Sequence, residues 1–520
     1  MEELAVTEEL RAEAPKGKNT SLKKDAALTS LAQLVVAFTS FFQYRIIRHY
    51  WVSVPDFAAY SQLFRVRIYA ESLVLLVLTT ALPAQIAAMR SNRDDRSEGV
   101  YTWTGLGLCL ILMLVDTALA RVFPQYAALA LFGNRDMADW VGPFCNLLFG
   151  YGFASVMCSM LRGFMRYRLV NVLAICFGGI TPLACPLLMR SYPLRDVVSA
   201  SGFVAWGFGA IFLGIMIKAE FPRIRPAWGG LKRYWDAAKD LLSYGAPRTI
   251  TVACTAIFTL MLPWFANNQQ DVPLVGSLNA VLLILVGSTI FVSGLGFVLL
   301  PRFSMLFAKG HSLEARRQLG LLVEFTIFAG GIGSLSALGL LRPFLKLWIG
   351  GRIAFPPMLI GAACLAIPTV LILEILRSPI DAASRRPLNA LTYGVGAAAS
   401  IVIINVLLAL HVPLPTVLSA ALIGGYYLAA TVSMLVAHKL YRFEISLSKL
   451  AIPLAFLGVS LAILLKEQVV LPAWMLFLAC FGCCVLYIVI SVLVKPAWVA
   501  EILPKRFRGR PKARTSLNRS

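Results

Sequence analysis

Charged and amide side chains set inside long apolar blocks are the places where this sequence could do chemistry. Four acids stand out there: Glu71, Asp116, Glu324 and Glu374. Charge at the middle of a membrane helix costs about 2.5–3.5 kcal/mol on insertion scales, so such carboxylates default to functional hypotheses: binding a proton or Na⁺, or gating. Arg67 and Glu71 stand at i, i+4, which puts them on one helix face, and Arg65 lies just upstream. Arg45 and Arg48, at i, i+3, both point one way from the end of the first block. Arg248 follows Gly245-Ala-Pro in what reads as a turn, and Asn279 sits in an uncharged block. Guanidinium groups suit phosphate and carboxylate, and an amide suits hydroxyls. Each has a plainer use as well: snorkelling arginines, a structural pair at a span's mouth, an anchor at the cytoplasmic face. Asp116 with Arg121 and Glu374 with Arg377 have the spacing of interface pairs. Thr251, Thr255 and Thr259 form a stripe whose hydroxyls can bond back to their own helix.

The elements that must hold these residues are membrane helices. Of 520 residues, 58% are hydrophobic and 14% charged, against about 25% charged in a soluble domain. Blocks such as 169–189, 272–300, 412–437 and 469–494 carry no charge and exceed the roughly 20 residues a spanning helix needs. The apolar blocks predict fourteen spans, near 26–44, 68–88, 100–120, 141–161, 169–189, 198–217, 249–266, 272–300, 318–341, 353–376, 388–410, 412–437, 450–465 and 469–494. Backbone polar groups in lipid require them to be helical. With the amino terminus inside, Lys and Arg favour the cytoplasmic side roughly threefold, as the positive-inside rule demands. That rule, with anionic lipid, accounts for the net charge of +22 and leaves no need for nucleic acid. Residues 1–25 and 495–520 read as cytoplasmic tails, and the cysteines, including Cys480, Cys483 and Cys484, as packing residues.

Several chemistries find no support. There is no phosphate-binding GxxxxGK[ST] loop, and His49, His311, His411 and His438 lack metal-ligand spacing, so no cofactor or metal is expected. The external loops are short and show no paired carboxylates, which makes an enzyme the weaker class and a carrier the stronger.

Features recur at a nearly constant offset: Leu82-Pro83 and Leu300-Pro301, Leu161-Arg162 and Leu376-Arg377, Asn171 and Asn389. They suggest a duplicated six-helix unit, 26–217 and 249–437, with two further helices within 438–494. The linker 218–248 contains Leu231, Trp235, Ala238 and Leu242 on one face of an amphipathic helix lying on the inner leaflet. Gly202, Gly207, Gly209 and Gly214 are read as close-packing sites.

Leu241-Leu-Ser-Tyr-Gly-Ala-Pro-Arg248, Leu300-Pro-Arg-Phe-Ser304, Ala308-Lys-Gly310 and Leu347-Trp-Ile-Gly350 carry a resemblance over roughly residues 26–445. The chain resembles the polysaccharide (oligosaccharide) flippase family, the Wzx-like members of the multidrug/oligosaccharidyl-lipid/polysaccharide exporter superfamily. It departs from that family at Phe41–Trp51, where a Gly-rich stretch is common. The resemblance implies two six-helix lobes plus two helices in the inner membrane, both termini cytoplasmic. It implies movement of an undecaprenyl-diphosphate-linked oligosaccharide, and for such a substrate the cations and amide singled out above, Arg45, Arg48, Arg65, Arg67, Arg248 and Asn279, are the candidate contacts in a carrier working by alternating access. Membrane lipids are partners, and contact with polysaccharide polymerase and glycosyltransferase machinery is left open. A cation-coupled multidrug antiporter and a lipid II flippase are neighbouring alternatives, and a membrane glycosyltransferase or polymerase is a more distant one.

Overall fold

The computed structural model describes residues 19–443 apart from 52, 77, 92–94, 222–223, 225–229, 309–311, 350–354 and 385, together with Gly482 and Val485. The expected spans 450–465 and 469–494, the carboxyl tail, most of the amino tail and Cys480, Cys483 and Cys484 lie outside the described residues.

Among the described residues all regular structure is helical. The helices are α1 (Asn19–Tyr50), α2 (Val54–Val74), α3 (Leu78–Ser91), α4 (Asp95–Val122), α5 (Pro124–Phe132), α6 (Val141–Gly163), α7 (Tyr167–Ala174), α8 (Thr181–Leu188), α9 (Leu194–Glu220), α10 (Leu231–Asn268), α11 (Val272–Ala308), α12 (Ser312–Ile349), α13 (Pro357–Ala383), α14 (Leu388–Ala409) and α15 (Leu414–Tyr441). A 3₁₀ turn, Arg135–Trp140, leads into α6, and a π-helical turn, Ile175–Ile180, joins α7 to α8. Among the described residues, ten helical segments are long and apolar enough to cross a membrane, and α2 with α3 add an eleventh if that bent pair is one span. The chain is a multi-pass, all-α membrane protein. Each expected span from 26–44 to 412–437 overlaps a described helix, although α1, which carries the first, is not among the helices long and apolar enough to cross a membrane.

Two expectations about continuity are corrected, and one span that is helical as expected carries a local defect. The second span is not one helix over 68–88: α2 starts at Val54, ends at Val74, and its axis turns by 50° into α3. Leu76 takes φ 45° at that break. Pro83, in the second turn of α3, has no N–H for the Thr79 carbonyl, which weakens the helix just beyond the break. The fifth span is not uniformly α. Pro182 withholds a donor from the Gly178 carbonyl, while Thr181 Oγ1 donates to the Cys176 carbonyl at 3.0 Å. The widened turn places Gly178 and Gly179 against Val36 and Thr39 of α1.

The linker also differs. Leu231–Asn268 is one 38-residue helix, about 57 Å long, so Gly245-Ala-Pro-Arg248 is helix and not turn. Its protein-facing side is Ala237, Ala238 and Leu241, whereas Leu231 is 87% and Trp235 62% exposed. The small alanines permit close approach, and Tyr101 Oη fixes the rotation by donating to Asp240 at 2.7 Å.

The chain divides into two compact units. Among the described residues, the first holds those before Ser53, Arg67–Leu129 and Arg135–Thr249; the second holds Ser53–Val66, Ala130–Asn134 and those from Ile250 onward. In the first, α6 crosses α9 closely: a Cβ at Gly150 would strike the Gly202 carbonyl oxygen, and one at Gly202 the Asn146 carbonyl oxygen. Gly209 likewise meets Phe153, but Gly207 and Gly214 face open space, so half of the predicted glycine sites are packing sites. In the second unit α13 is the central helix, almost wholly buried and packed on α11, α12 and α15. One of its apolar clusters joins Phe303, Leu319, Val323, Ile375, Leu376, Ile380 and Tyr441.

Candidate functional site

A charged cluster forms in the first unit where the second half of α2 meets α4 and α6. The i, i+4 spacing does bring Arg67 and Glu71 into electrostatic contact, and Ser155 of α6 hydrogen-bonds Glu71. The Arg67 guanidinium lies over the ring of Tyr151, 3.9 Å from its centroid. Tyr151, 1% exposed, meets Phe177 of the π turn edge-on at 5.6 Å. Gly152 makes room for the end of Met113, whose Cε a Cβ there would strike, and stands in ordinary contact range of Glu71, 3.7 Å from its Cγ. A cation, a carboxylate, an aromatic face and a hydroxyl thus converge between apolar helices. Such a set can take an anionic or hydroxylated group, and its carboxylate can take a cation or proton.

The other predicted residues scatter. Arg48 is 6% exposed while Arg45 is exposed, so the pair does not point one way. Three residues on a helix separate side chains by about 60°, enough here to put one against α1's neighbours and the other outside. Arg65 is buried in the second unit, and its Nε has no hydrogen-bond partner among the described residues. Arg248 is exposed and folded onto its own helix, donating to the Tyr244 carbonyl at 3.1 Å with its guanidinium 4.0 Å from that ring. Asn279 is 1% exposed, and neither atom of its amide has a partner among the described residues.

Asp116, half-buried on α4, makes no ion pair with Arg121, whose Nη2 donates to Asn146 Oδ1 at 2.7 Å. Glu374, half-buried on α13, makes no ion pair with Arg377 among the described residues. Glu324 is half-buried on α12. The threonine stripe turned inward on itself: Thr255 and Thr259 donate to the carbonyls of Thr251 and Thr255, each at 2.7 Å.

Two groups escaped the sequence reading. Tyr151 and Ser155, at i, i+4 on α6, complete the Arg67–Glu71 cluster; their matched spacing, with Tyr151 flanked by Gly150 and Gly152, was the available signal. A second charged node ties four helical ends together: Arg90 lies 3.6 Å from both Glu98 and Glu220, and Arg166 pairs with Glu220 at 2.7 Å. Both acids are at most 4% exposed. Beside it, Trp103 Nε1 donates to the Ile224 carbonyl at 2.7 Å, securing the approach to α10.

No protein-family profile matches the chain, and no curated protein sequence matches it. Solved structures do. An inward-facing multidrug resistance MATE family transporter of the MOP superfamily superposes with a TM-score of 0.63 at 13% identity, covering 79% of this chain and 97% of that one. The lipid II flippase MurJ, in an inward closed conformation, gives 0.56 at 13% identity over 90% of this chain and 98% of that one. The eukaryotic MATE transporter AtDTX14 gives 0.54 at 14% identity, covering 81% and 98%. The chain has the fold shared by these membrane transporters.

Proposed function

We propose that this chain is a flippase that carries a polyprenyl-diphosphate-linked oligosaccharide across the inner membrane by alternating access, with both termini in the cytoplasm. The observation that carries the reading is the Arg67–Glu71–Tyr151–Ser155 cluster. A guanidinium suits a diphosphate, a ring face and hydroxyls suit sugar, and an intramembrane carboxylate suits ion coupling or gating. Likeness to a lipid II flippase over 90% of the chain supports a substrate with a lipid tail. In this reading Arg67 is the principal cation, Arg48, Arg65 and Asn279 are buried polar contacts, and exposed Arg45 and Arg248 act at entrances. Glu71 is the coupling or gating carboxylate, ahead of Asp116, Glu324 and Glu374.

The test is a strain lacking the protein, in which surface polysaccharide and lipid-linked oligosaccharide on the cytoplasmic leaflet are both quantified. Complete repeat units accumulating inside while surface polymer vanishes, with wild-type rescue, is the expected result. Normal surface polymer without the intermediate sinks the proposal. A second reading, an ion-coupled multidrug antiporter, is favoured by the higher TM-score of the multidrug MATE structure, 0.63 against 0.56. That strain would then show unchanged polymer and greater sensitivity to cationic drugs.

A further inference from the structure

Within the second unit, one carbonyl oxygen accepts two buried side-chain amides from different helices. Gln62 Nε2 of α2 donates to the Phe132 carbonyl at 2.9 Å, and Asn267 Nδ2 of α10 donates to it at 2.7 Å. Gln62, Phe132 and Asn267 are 2%, 0% and 4% exposed. The next residue, Gly133, takes φ 77°, and a Cβ there would run into the Trp264 carbonyl oxygen of α10. One turn back along α2, Phe57 lies 3.4 Å from the Cβ position of Gly276 on α11. Both lone pairs of the carbonyl are thus used to fix residues 53–66 and 130–134 to helices of the second unit, although the chain continues from each directly into the first.

We propose that Gln62, the Phe132 carbonyl and Asn267 form a releasable clasp, which holds segments 53–66 and 130–134 in the second unit and opens once per transport cycle. Its chemistry fits release. The clasp contains two neutral hydrogen bonds and no ion pair, so breaking it leaves no buried charge. Gly133 supplies a backbone pivot that no other residue type fits in the closed state. Losing one neutral hydrogen bond shifts a closed–open equilibrium about 3- to 10-fold. The clasp itself is independent of any substrate; its opening during transport rests on the alternating-access reading.

The test uses full-length protein in detergent and follows backbone amide exchange by mass spectrometry. Asn267→Leu and Gln62→Leu should each speed exchange in 54–66 and 130–134 by about 3- to 10-fold while leaving α14 unchanged. Unchanged rates, or acceleration everywhere, overturn the clasp. A Gln62→Cys/Asn267→Cys pair, with the native cysteines replaced, then tests release. Disulfide formation should arrest flipping of the lipid-linked oligosaccharide, and reductant should restore it. Undiminished flipping by cross-linked protein overturns the opening step. Absence of flipping in both the reduced pair and the wild type fails the substrate reading instead, and the exchange rates still decide the clasp.

Discussion

Replacing Tyr151 by leucine removes the surface on which the Arg67 guanidinium rests, whereas phenylalanine preserves it. The guanidinium carbon is 3.9 Å from the ring centroid, and the ring is all but inaccessible to solvent. A desolvated contact of this kind is worth about 2 kcal/mol, against about 0.5–1 kcal/mol at an exposed site. A double-mutant cycle of Tyr151→Leu with Arg67→Met isolates that contribution from lost packing. The coupling energy should be about 2 kcal/mol, or close to ~30-fold in the unfolding equilibrium. The cycle built with Tyr151→Phe should show no coupling energy, since phenylalanine keeps the ring face, with an allowance of about 0.5 kcal/mol. Both cycles are read from SDS-driven unfolding of the purified protein in mixed micelles at fixed pH and salt. A leucine-cycle coupling below about 0.5 kcal/mol would refute the account of how Arg67 is held. So would a phenylalanine cycle with coupling as large as the leucine one.

Gly150→Ala drives a Cβ into the Gly202 carbonyl, and backbone cannot swing aside, so unfolding should show a loss of about 2–3 kcal/mol. Gly207→Ala meets nothing within 4 Å and should be neutral or stabilising by up to about 1 kcal/mol in the same assay. Glu220→Gln removes the acid paired with Arg166 and leaves Arg90 with Glu98 alone; because Arg166 is 47% exposed, the expected loss is about 1–2 kcal/mol, well short of a fully buried pair, read as a lower Tm. Tyr101→Phe frees Asp240 and should cost about 1 kcal/mol, with faster amide exchange confined to the first turns of α10. Glu71→Gln keeps a hydrogen-bonding partner for Ser155 but no charge, so the folded protein should persist while transport falls by at least about tenfold in a flipping assay.

The helices were legible because apolar length is a local property: among the described residues ten helices are apolar and long enough to span, with the bent α2–α3 pair an eleventh if it is one span, and α1 is the expected span that does not join them. Breaks within spans were not. The Pro182 defect that opens the π turn depends on a missing donor and on α1 packing against Gly178 and Gly179, and hydropathy registers neither. Leu231 and Trp235, the face expected on the inner leaflet, are not covered by protein, whereas the protein-facing side of that helix, small Ala237 and Ala238 with the Tyr101–Asp240 bond, rests on a contact that periodicity does not register. At the site, Arg67 and Glu71 were found through helical spacing, which is intrinsic to one segment. Tyr151, Ser155, Gln62 and Asn267 depend on contacts between segments distant in sequence, as do the Arg90–Glu220 and Arg166–Glu220 pairs.

The central claim is tested most directly with the purified chain reconstituted into liposomes containing a polyprenyl-diphosphate oligosaccharide. A membrane-impermeant lectin reports how fast the sugar becomes accessible on the far leaflet. The account predicts acceleration of at least about tenfold over protein-free liposomes, lost in Arg67→Met protein whose fold is intact. Folded wild-type protein that leaves the rate at the protein-free level, under an imposed proton or Na⁺ gradient, would contradict it.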